Sequence, residues 1–589
     1  MLKKFLFWRV KHINNKNFTM IVSGIVGLLA GLAAVLLKET VHFVHALLEP
    51  ESNTFYDNPL HIAYPIIGIL ATVLLSRYVF KERIGHGVSD ILYSISQKSS
   101  KIPSRKQWTS LVYSAITVGL GGSVGLEAPI VATGSAIGSN FGRMTHLDYN
   151  RRTLLIGCGA AGAISAIFYS PIAGVIFALE CILAEVSVAT FIPLLISSVV
   201  GALVSLALLG SDVLFSFKLR DPFMASDTPY YILLGILAGF IALYFTKVTY
   251  YVEPKIKEIK NYALRAIVGG LALGLVIFVF PSIYGEGYEA IKLMLNGNGV
   301  DIFGQQHYLF TPGESNTVFL LGVLGIILLK PVATSLTIGA GGCGGVFAPS
   351  MFLGGITGFF LASIINVVAG QPVVSVSNFT LVGMCGVLTG VLHAPLTGIF
   401  LIAEITGGYT LFLPLMLVSA ISFSTISYFE KYSLYTKKLI QRGQLFQDDE
   451  DSAVLNKIII EKIIEKDLLV IRDGATLADL VELVKVSKRN IFPVLDSEEH
   501  LLGIITLDDI RDKMFDEENR CNLIVNTIMH KPPATVTPEE GMRDAMNKFQ
   551  ATGAWNLPVL KDGKYYGFIS KSSLFNAYRN KLKRKKIIA

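Results

Sequence analysis

The fold of this chain is constrained above all by its apolar segments, which between residues 108 and 429 are many, uneven in length and interrupted by glycine and proline. Several of them are too short to cross the roughly 30 Å hydrocarbon core of a bilayer. Irregular backbone at membrane depth is tolerated only where it is buried in protein or lines a cavity. The chain is 52% hydrophobic and only 16% charged, whereas soluble domains carry roughly 25% charged residues. We therefore predict an all-α polytopic membrane protein with broken helices.

Basic residues are concentrated at both ends of the chain and indicate its orientation. Residues 1–17 are basic and aromatic, which predicts a short interfacial helix lying on the lipid bilayer. The last residues form a second basic cluster: Lys581, Lys583, Arg584, Lys585 and Lys586. By the positive-inside rule both termini are predicted to be cytoplasmic, in a plasma or cytoplasmic membrane, with an even number of crossings. Such clusters are typical of solvated or lipid-facing ends, so no nucleic-acid partner is predicted.

The run from Gly121 to Pro129 is rich in glycine and carries a lone carboxylate, Glu127, two residues before the proline. An acidic side chain in so apolar a chain is unfavourable and marks a functional position. Proline suits the first turn of a helix, and glycines allow bare backbone N–H groups to converge in front of that helix. The run predicts an anion site at a helix N-terminus, which Glu127 either occupies or leaves.

An internal repeat runs through the apolar region. Gly125–Pro129 matches Gly345–Pro349, and Pro171–Glu180 matches Pro395–Glu404, with proline, glycine and glutamate at equal spacing in the second pair. Broken helices at corresponding places in two halves indicate a transport site. We predict a repeat of inverted topology, in which the final glutamates of the two Pro-to-Glu helices are structural and pair with backbone donors or with polar groups of the helix bundle.

The composition changes abruptly around residue 441, where an acidic linker begins and short β-runs then alternate with amphipathic helices. Phe492–Leu495 followed by Gly503–Thr506 recurs as Leu557–Leu560 followed by Gly567–Ser570, which predicts two small α/β modules. The predicted organisation is an interfacial helix at 1–17, a transmembrane domain at 18–440 with halves at about 18–210 and 228–440, a linker at 441–457, and modules at 458–517 and 523–582.

Together these motifs resemble the CLC family of chloride channels and transporters. The residues that carry the resemblance are the run around Glu127, its counterpart around Phe347, the two Pro-x-x-Gly helices and Tyr435. The tail resembles a pair of CBS domains, which many CLC proteins carry. The resemblance implies a CLC-like inverted repeat and a homodimer in which each subunit has its own chloride pathway.

The resemblance also implies which groups line that pathway. Backbone N–H donors would come from two helix N-termini: Leu126, Glu127 and Ala128 in the first half, and Val346, Phe347 and Ala348 in the second. Tyr435 would add a hydroxyl, and Glu127 would be the gate, competing with chloride and swinging away when protonated. The partial positive charge of helix ends holds an anion without the deep trap of a buried lysine or arginine.

Three places depart from the usual pattern of the family. At the gate, Ala128 stands where a glycine is usual and Leu126 where a basic residue is frequent, which should weaken the attraction of anions from outside. In the run Gly85–Ser89, His86 stands where a serine hydroxyl is usual. We predict that His86 and Gly87 face the anion. The alternative is that His86 is neutral and hydrogen-bonded to a nearby carbonyl group. Cys181 follows Glu180 at the position where the exchangers of the family usually carry a proton-relaying glutamate. Because a thiol has an ordinary pKa of about 8.5, it is a poor proton relay near neutral pH.

These departures favour a voltage-gated-type chloride channel that conducts small monovalent anions passively or with weak proton coupling. Two other functions stay open: an H⁺/Cl⁻ antiporter of the same fold with another proton route, and a nucleotide-sensing membrane protein with a vestigial pore. An enzyme is not predicted, since the chain has neither an HExxH pattern nor a Walker loop. No cofactor is required besides the bound chloride, and the five cysteines suggest neither a disulfide framework nor a metal site.

The first of the two tail modules carries the ribose-binding pattern of CBS domains, from Gly503 to Asp509. The resemblance implies that Asp509 accepts hydrogen bonds from ribose hydroxyls while Thr506 caps the following helix, so ATP, ADP or AMP is a predicted ligand. The second copy ends in Ser573 and lacks the acid. A purely structural pair that stabilises a dimer is the alternative.

Overall fold

In the computed structural model the chain divides into two compact units, Met1–Leu445 and Phe446–Ala589. The structure describes residues 9, 11–48, 60–82, 84–85, 87–183, 188–210, 222–297, 299–303, 316–441, 443–444, 458 and 460–587. Of the predicted interfacial helix at 1–17, the structure describes residues 9 and 11–17, and the last three of these positions already belong to the first long helix. Most of the predicted linker at 441–457 lies outside the described residues.

The described part of the first unit is helical, with short helices set between long ones. The helices, in chain order, are α1 Asn15–Leu48, α2 Leu60–Leu74, α3 Val88–Gln97, α4 Lys106–Gly119, α5 Glu127–Met144, α6 Tyr149–Phe168, α7 Pro171–Phe177, α8 Val188–Leu209, α9 Thr228–Lys257, α10 Tyr262–Val279, α11 Tyr288–Leu295, α12 Asn316–Ala340, α13 Phe347–Ala369, α14 Val376–Leu392, α15 Pro395–Ile405, α16 Phe412–Phe429 and α17 Leu434–Gln441. Two of them continue into a wider π-helical turn, α2 over Leu75–Val79 and α7 over Ala178–Ile182.

Nine helices in the described residues are long and apolar enough to cross a membrane. Three shorter apolar helices accompany them, Pro171–Ile182, Val376–Leu392 and Pro395–Ile405. Helices of this length do not span the hydrocarbon core alone, so their ends lie where protein must satisfy the backbone. The prediction of a polytopic protein with broken helices is confirmed.

Paired glycines bring equivalent helices of the two halves into close contact. A Cβ on Gly134 of α5 would lie 2.2 Å from the carbonyl oxygen of Gly159 in α6. In the second half, a Cβ on Gly354 of α13 would lie 2.3 Å from the carbonyl oxygen of Gly383 in α14. Only residues without a side chain allow backbones to approach so closely. Each half therefore packs its central helix pair in the same way, as the internal repeat predicts.

The second unit contains two small modules, each built around an antiparallel hairpin. Its elements are β1 Ile471–Arg472, α18 Leu477–Val486, β2 Ile491–Leu495, β3 Leu501–Thr506, α19 Leu507–Ile510, α20 Glu517–Asn522, α21 Met542–Thr552, β4 Asn556–Lys561, β5 Lys564–Ser570 and α22 Lys571–Ile587. One sheet has the order β1-β2-β3, with β1 parallel to β2, and the other pairs β4 with β5. In the two hairpins Pro493 faces Ile504 and Pro558 faces Phe568. The predicted α/β modules are confirmed.

Candidate anion pathway

The two glycine-rich runs of the repeat meet in a short antiparallel bridge. Gly125 donates its N–H to the carbonyl oxygen of Gly345 at 2.9 Å, and Gly345 donates to that of Gly125 at 2.8 Å. Glycine is required at both positions, since a Cβ on Gly125 would lie 2.9 Å from the Cβ of Ala348, and one on Gly345 would lie 2.6 Å from the Cβ of Ala128. The bridge places the N-termini of α5 and α13 side by side.

Polar contacts beside the bridge follow the same two-fold pattern. Ser123 donates its N–H to Oγ1 of Thr337 at 3.3 Å, and Cys343 donates its N–H to Oγ1 of Thr117 at 3.0 Å. Each threonine belongs to the helix before the other half's run. This reciprocal exchange, together with the antiparallel bridge, confirms the inverted repeat.

Glu127 and Phe347 occupy equivalent first positions of α5 and α13, but their side chains differ in role. Phe347 is 1% exposed and packs against the rings of Phe168 and Phe177, at centroid distances of 5.5 and 6.1 Å. Glu127 is equally buried, and its Oε1 accepts a hydrogen bond from the hydroxyl of Tyr288 at 2.5 Å. The first half therefore presents a carboxylate where the second presents an apolar ring.

The second carboxylate oxygen of Glu127 faces the helix ends. The backbone N–H groups of Glu127 and Ala348 act on the carboxylate, although no described donor makes a hydrogen bond of good geometry to Oε2. Helix N-termini carry partial positive charge and bind anions. The carboxylate of Glu127 thus occupies the place where the two helix ends would hold a small anion.

A second acid, which the sequence argument did not identify, reaches the same site. Glu286 lies in the segment that precedes α11, and its Oε1 accepts a hydrogen bond from the N–H of Leu126 at 3.1 Å. The fully buried Lys330 of α12 donates to the carbonyl oxygens of Ile283 and Gly285 in the same segment, at 3.1 and 3.2 Å. The available signal was a carboxylate flanked by two glycines, Gly285 and Gly287.

The N-terminus of α3 adjoins the α5 N-terminus. Gly87 has a φ of 59° and precedes α3, and a Cβ there would lie 2.8 Å from the Cβ of Ala128. His86 lies outside the described residues, and its role stays a prediction. Ser89 donates its hydroxyl to the carbonyl oxygen of Tyr435 at 2.8 Å, which fixes α17 beside α3.

Tyr435 and Cys181 lie near the two helix ends. Tyr435 is 5% exposed and belongs to the same buried cluster as Phe347 and Ala348, and Cys181 packs against that cluster. Both Cys181 and Glu127 are close enough to Tyr435 to act on its hydroxyl electrostatically. The structure thus brings together most of the predicted residues that it describes.

A small cavity and a larger vestibule lie next to these helix ends. The cavity measures about 20 Å³ and is lined in part by Gly87, Lys106, Tyr113, Pro129 and Gly344. That volume admits about one water-sized particle. The buried hydroxyl of Tyr113 has no hydrogen-bond partner among the described residues, whereas Lys106 is paired with Asp90 at 2.7 Å.

The vestibule measures about 830 Å³ and shares Gly85 and Gly344 with the small cavity. Its lining is strongly basic: Arg77, Lys81, Lys257 and Arg265, against one acid, Glu82. The guanidinium groups of Arg77 and Arg265 lie 3.8 and 5.0 Å from the ring centroid of Tyr262. A basic cleft of this kind concentrates anions, and it leads directly to the glycine-rich runs.

The two Pro-to-Glu helices cap each other. Glu404 at the end of α15 accepts the N–H groups of Ile172 and Ala173 at the start of α7, at 3.0 and 2.8 Å. Glu180, in the π-helical turn after α7, accepts those of Leu396 and Thr397 at the start of α15, at 3.0 and 2.8 Å. The predicted structural role of both glutamates is confirmed, and of the two kinds of partner expected, both glutamates bind backbone donors and Glu180 also binds the hydroxyl of Thr397.

Other polar residues of the glycine-rich runs are structural. Ser123 is fully buried and donates its hydroxyl to the carbonyl oxygen of Ile283 at 2.8 Å. This bond ties the run before α5 to the segment that carries Glu286.

In the tail, Thr506 and Asp509 form a reciprocal cap at the start of α19. Oδ2 of Asp509 accepts both the N–H and the hydroxyl of Thr506, at 2.6 and 2.7 Å. In the second module Ser570 and Ser573 exchange similar bonds, with the N–H of Ser573 donating to Oγ of Ser570 at 3.0 Å. The structure places both predicted nucleotide-binding residues together at one helix N-terminus.

The second module obtains a carboxylate from elsewhere in the chain. Glu465 accepts the hydroxyl of Ser570 at 2.7 Å and is bridged to Arg489 at 2.9 Å. The same guanidinium hydrogen-bonds to Asp467 and holds the pKa of that carboxyl below its ordinary value. A pattern search within each module does not find Glu465, because it lies 105 positions before Ser570.

These features define a membrane protein of inverted-repeat architecture whose helix N-termini converge on a carboxylate. The model of the voltage gated chloride channel family matches residues 67–427, more than half of the chain, and the CBS domain model matches residues 460–516 and 525–580. The chain therefore belongs to this family of anion-transport proteins, the CLC proteins, and ends in a pair of CBS domains.

Relatives of the chain include channels and exchangers. "Chloride channel protein CLC-f" of Arabidopsis thaliana is 27% identical over 85% of this chain and 73% of its own length. "H(+)/Cl(-) exchange transporter ClcA" of Vibrio cholerae is 27% identical over 68% of this chain and 84% of its own length.

Solved structures have the same fold. The structure of a slow cyanobacterial Cl⁻/H⁺ antiporter aligns over 74% of this chain and 100% of its own, with a TM-score of 0.60 and 20% identity. The structure of a eukaryotic CLC transporter aligns over 94% of this chain and 97% of its own, with a TM-score of 0.60 and 18% identity.

Proposed function

We propose that this protein moves chloride and other small monovalent anions across the membrane, through a pathway gated by Glu127, as a voltage-gated-type chloride channel that is passive or weakly proton-coupled. One observation carries the proposal: a buried carboxylate stands where the N-termini of α5 and α13 meet, held by Tyr288 rather than by a cation. A carboxylate that fits this place marks it as an anion site, and a chloride ion would compete with it.

The basic vestibule supplies the route to this site. Anions drawn in by Arg77 and Arg265 would pass Gly85 and enter the small cavity, where the buried hydroxyl of Tyr113 is available as a donor. From there the anion would be bound by backbone N–H groups at two helix N-termini and by one hydroxyl. The donors would be Leu126, Glu127 and Ala128, then Val346, Phe347 and Ala348, and the hydroxyl of Tyr435. His86 beside Gly87 would tune the order in which anions are preferred.

Cys181 supports weak proton coupling. It packs against the cluster that contains Tyr435. It also follows Glu180 at the position where the resemblance would place a relay acid, and a thiol does not release its proton readily near neutral pH. Glu180 does not replace the missing acid, because its two carboxylate oxygens are bonded to the N-terminus of α15.

A proton-coupled antiporter is the second candidate. Relatives named as H⁺/Cl⁻ exchangers favour it, as does the second acid, Glu286, beside the gate. The test is to reconstitute the full chain into liposomes and to record chloride efflux and external pH together. Passive conduction gives chloride flux without uphill proton movement, whereas protons driven uphill by a chloride gradient alone would establish the antiporter.

We also propose that the protein forms a homodimer in the lipid bilayer, with one pathway in each subunit and both termini in the cytoplasm. We further propose that the CBS pair binds an adenine nucleotide (ATP, ADP or AMP). The cap of Thr506 and Asp509 supports the last point, because it uses Oδ2 of Asp509 and leaves Oδ1 outside the cap for a ribose hydroxyl. Isothermal titration of the full chain with ATP and AMP tests it. Heat that disappears in Asp509→Asn supports nucleotide binding, and no heat at millimolar nucleotide contradicts it.

A further inference from the structure

Glu286 reaches the proposed anion site from the segment before α11, whereas the proposed gate, Glu127, belongs to α5. Its Oε1 accepts the N–H of Leu126 at 3.1 Å, one residue before Glu127. In the proposed pathway this N–H is one of the donors that would hold the anion. A deprotonated Glu286 therefore competes with an anion for the same donor.

The segment that carries Glu286 is fixed in place. Ser123 donates its hydroxyl to Ile283 at 2.8 Å, and the fully buried Lys330 donates to Ile283 and Gly285 at 3.1 and 3.2 Å. Gly287, with a φ of 89°, then turns the chain into α11. These contacts hold the Glu286 side chain against the N-terminus of α5.

The same segment also holds the gate itself. Tyr288, two residues after Glu286, donates its hydroxyl to Oε1 of Glu127. One short stretch thus binds both the carboxylate of the gate and the backbone N–H that precedes it. This arrangement couples the protonation of one acid to the position of the other.

We propose that Glu286 is a second gate acid, which holds the Leu126 N–H when it is charged and releases it to an anion when it is protonated. The inference rests on the proposed anion-transport function. The charged and titratable groups that act on Glu286 are Glu127 of α5, Lys330 of α12 and Lys38 of α1. Tyr288 lies on its own segment, and His45 of α1 contacts the ring of Tyr284 at 5.5 Å.

The test measures chloride binding to the purified full-length protein by isothermal titration between pH 5 and pH 8. The variants are Glu127→Gln, Glu286→Gln and the double variant. Glu289→Gln is the matched control, since Glu289 lies three residues after Glu286 and its side chain is 89% exposed. Thermal unfolding of each variant establishes that it is folded.

The expected result is that Glu286→Gln binds chloride about tenfold more tightly at pH 7.5, because a neutral acceptor holds the Leu126 N–H more weakly than a charged one. Chloride affinity in Glu127→Gln still falls as the pH rises, because Glu286 still loses its proton and reclaims the donor. The double variant shows no such fall, and Glu289→Gln behaves like the unaltered protein. A merely structural role for Glu286 would weaken chloride binding rather than strengthen it.

Two outcomes would overturn the inference: a flat pH profile in Glu127→Gln alone, or weaker chloride binding in Glu286→Gln. If Glu286→Gln does not fold, Glu286→Asp serves in its place, because it keeps the charge but shortens the reach to Leu126 and is also expected to bind chloride more tightly. Absence of chloride binding and flux in every variant and in the unaltered protein would instead contradict the proposed function.

Discussion

The two halves of the membrane unit share one backbone arrangement and differ in one side chain at its centre. Gly125 and Gly345 exchange backbone hydrogen bonds at 2.9 and 2.8 Å, yet the following helices begin with Glu127 in one half and Phe347 in the other. Symmetry of the backbone brings two helix N-termini together, an arrangement that favours the binding of an anion. The side chains at these two positions differ, because only the first half places a titratable group there; in the proposed function that group is the gate.

The two modules of the tail also share one backbone arrangement and differ in one acidic side chain. Its two hairpins have the same register at Pro493 and Pro558, while Asp509 in the first module corresponds to Ser573 in the second. In both repeats the backbone pattern is kept and one acid is changed. Duplication therefore fixes the architecture, and within each repeat the two copies differ in whether they carry an acid at that position.

The largest expected effect comes from breaking the mutual capping of the two halves. Glu404→Ala leaves the N–H groups of Ile172 and Ala173 without their acceptor and should lower the free energy of unfolding by about 3 kcal/mol. Glu180→Ala should cost about 1 kcal/mol more, because Glu180 also accepts the hydroxyl of Thr397 at 2.7 Å. Thermal unfolding in detergent measures both, and equal stability of either variant and the unaltered protein would refute the structural role.

The next effect tests which half carries the gate. Glu127→Gln removes the charge that competes with the anion, so chloride flux at pH 7.5 should rise about tenfold. Phe347→Leu, at the equivalent position, should leave the pH dependence of flux unchanged because its ring only packs. Proteoliposome efflux between pH 5 and pH 8 measures both; a pH profile altered by Phe347→Leu but not by Glu127→Gln would reverse the assignment.

A smaller effect compares the two modules of the tail. Asp509→Asn weakens the reciprocal cap of α19 and should reduce local stability by about 1 kcal/mol. Ser573→Ala should have less effect, since its partner Ser570 keeps its bond to Glu465. Hydrogen–deuterium exchange of the full chain reports both, through the protection of amides at residues 506–510 and 570–574. Equal loss of protection in the two modules would show that the acid confers no advantage on the first.

The smallest expected effect concerns the basic vestibule, to which both halves contribute. Arg265→Gln should lower chloride flux about two- to threefold at low ionic strength and less at high salt, since the attraction is long-range and screened. Lys292→Gln is the control, because Lys292 is paired with Glu289 and does not line the vestibule. A reduction that is independent of salt would mean that Arg265 acts through packing and not through its charge.

Much of this arrangement was predictable from local patterns in the sequence. Apolar segments interrupted by glycine and proline indicate broken membrane helices, and the equal spacing of Pro171–Glu180 and Pro395–Glu404 indicates the repeat. Their final glutamates were expected to pair with backbone donors or with polar groups of the helix bundle, and they bind backbone donors across the two halves. Each pattern is a short stretch of residues close together in the chain and can be recognised locally, whereas the donors that the glutamates bind lie 232 and 216 positions away and are identified only by the structure.

Other parts of the site depend on contacts between distant residues, and only the tertiary structure reveals them. Glu286 and Tyr288 lie 160 and 161 positions from the residues they bind at the start of α5, and Glu465 lies 105 positions from Ser570. Short motifs do not encode such partners, because the packing of whole helices and strands decides which side chains meet. The sequence by itself determined the repeat, the helix N-termini and the carboxylate Glu127 among them. The folded chain decided what holds that carboxylate, since hydrogen bonds act over about 3 Å in space whatever the separation along the chain.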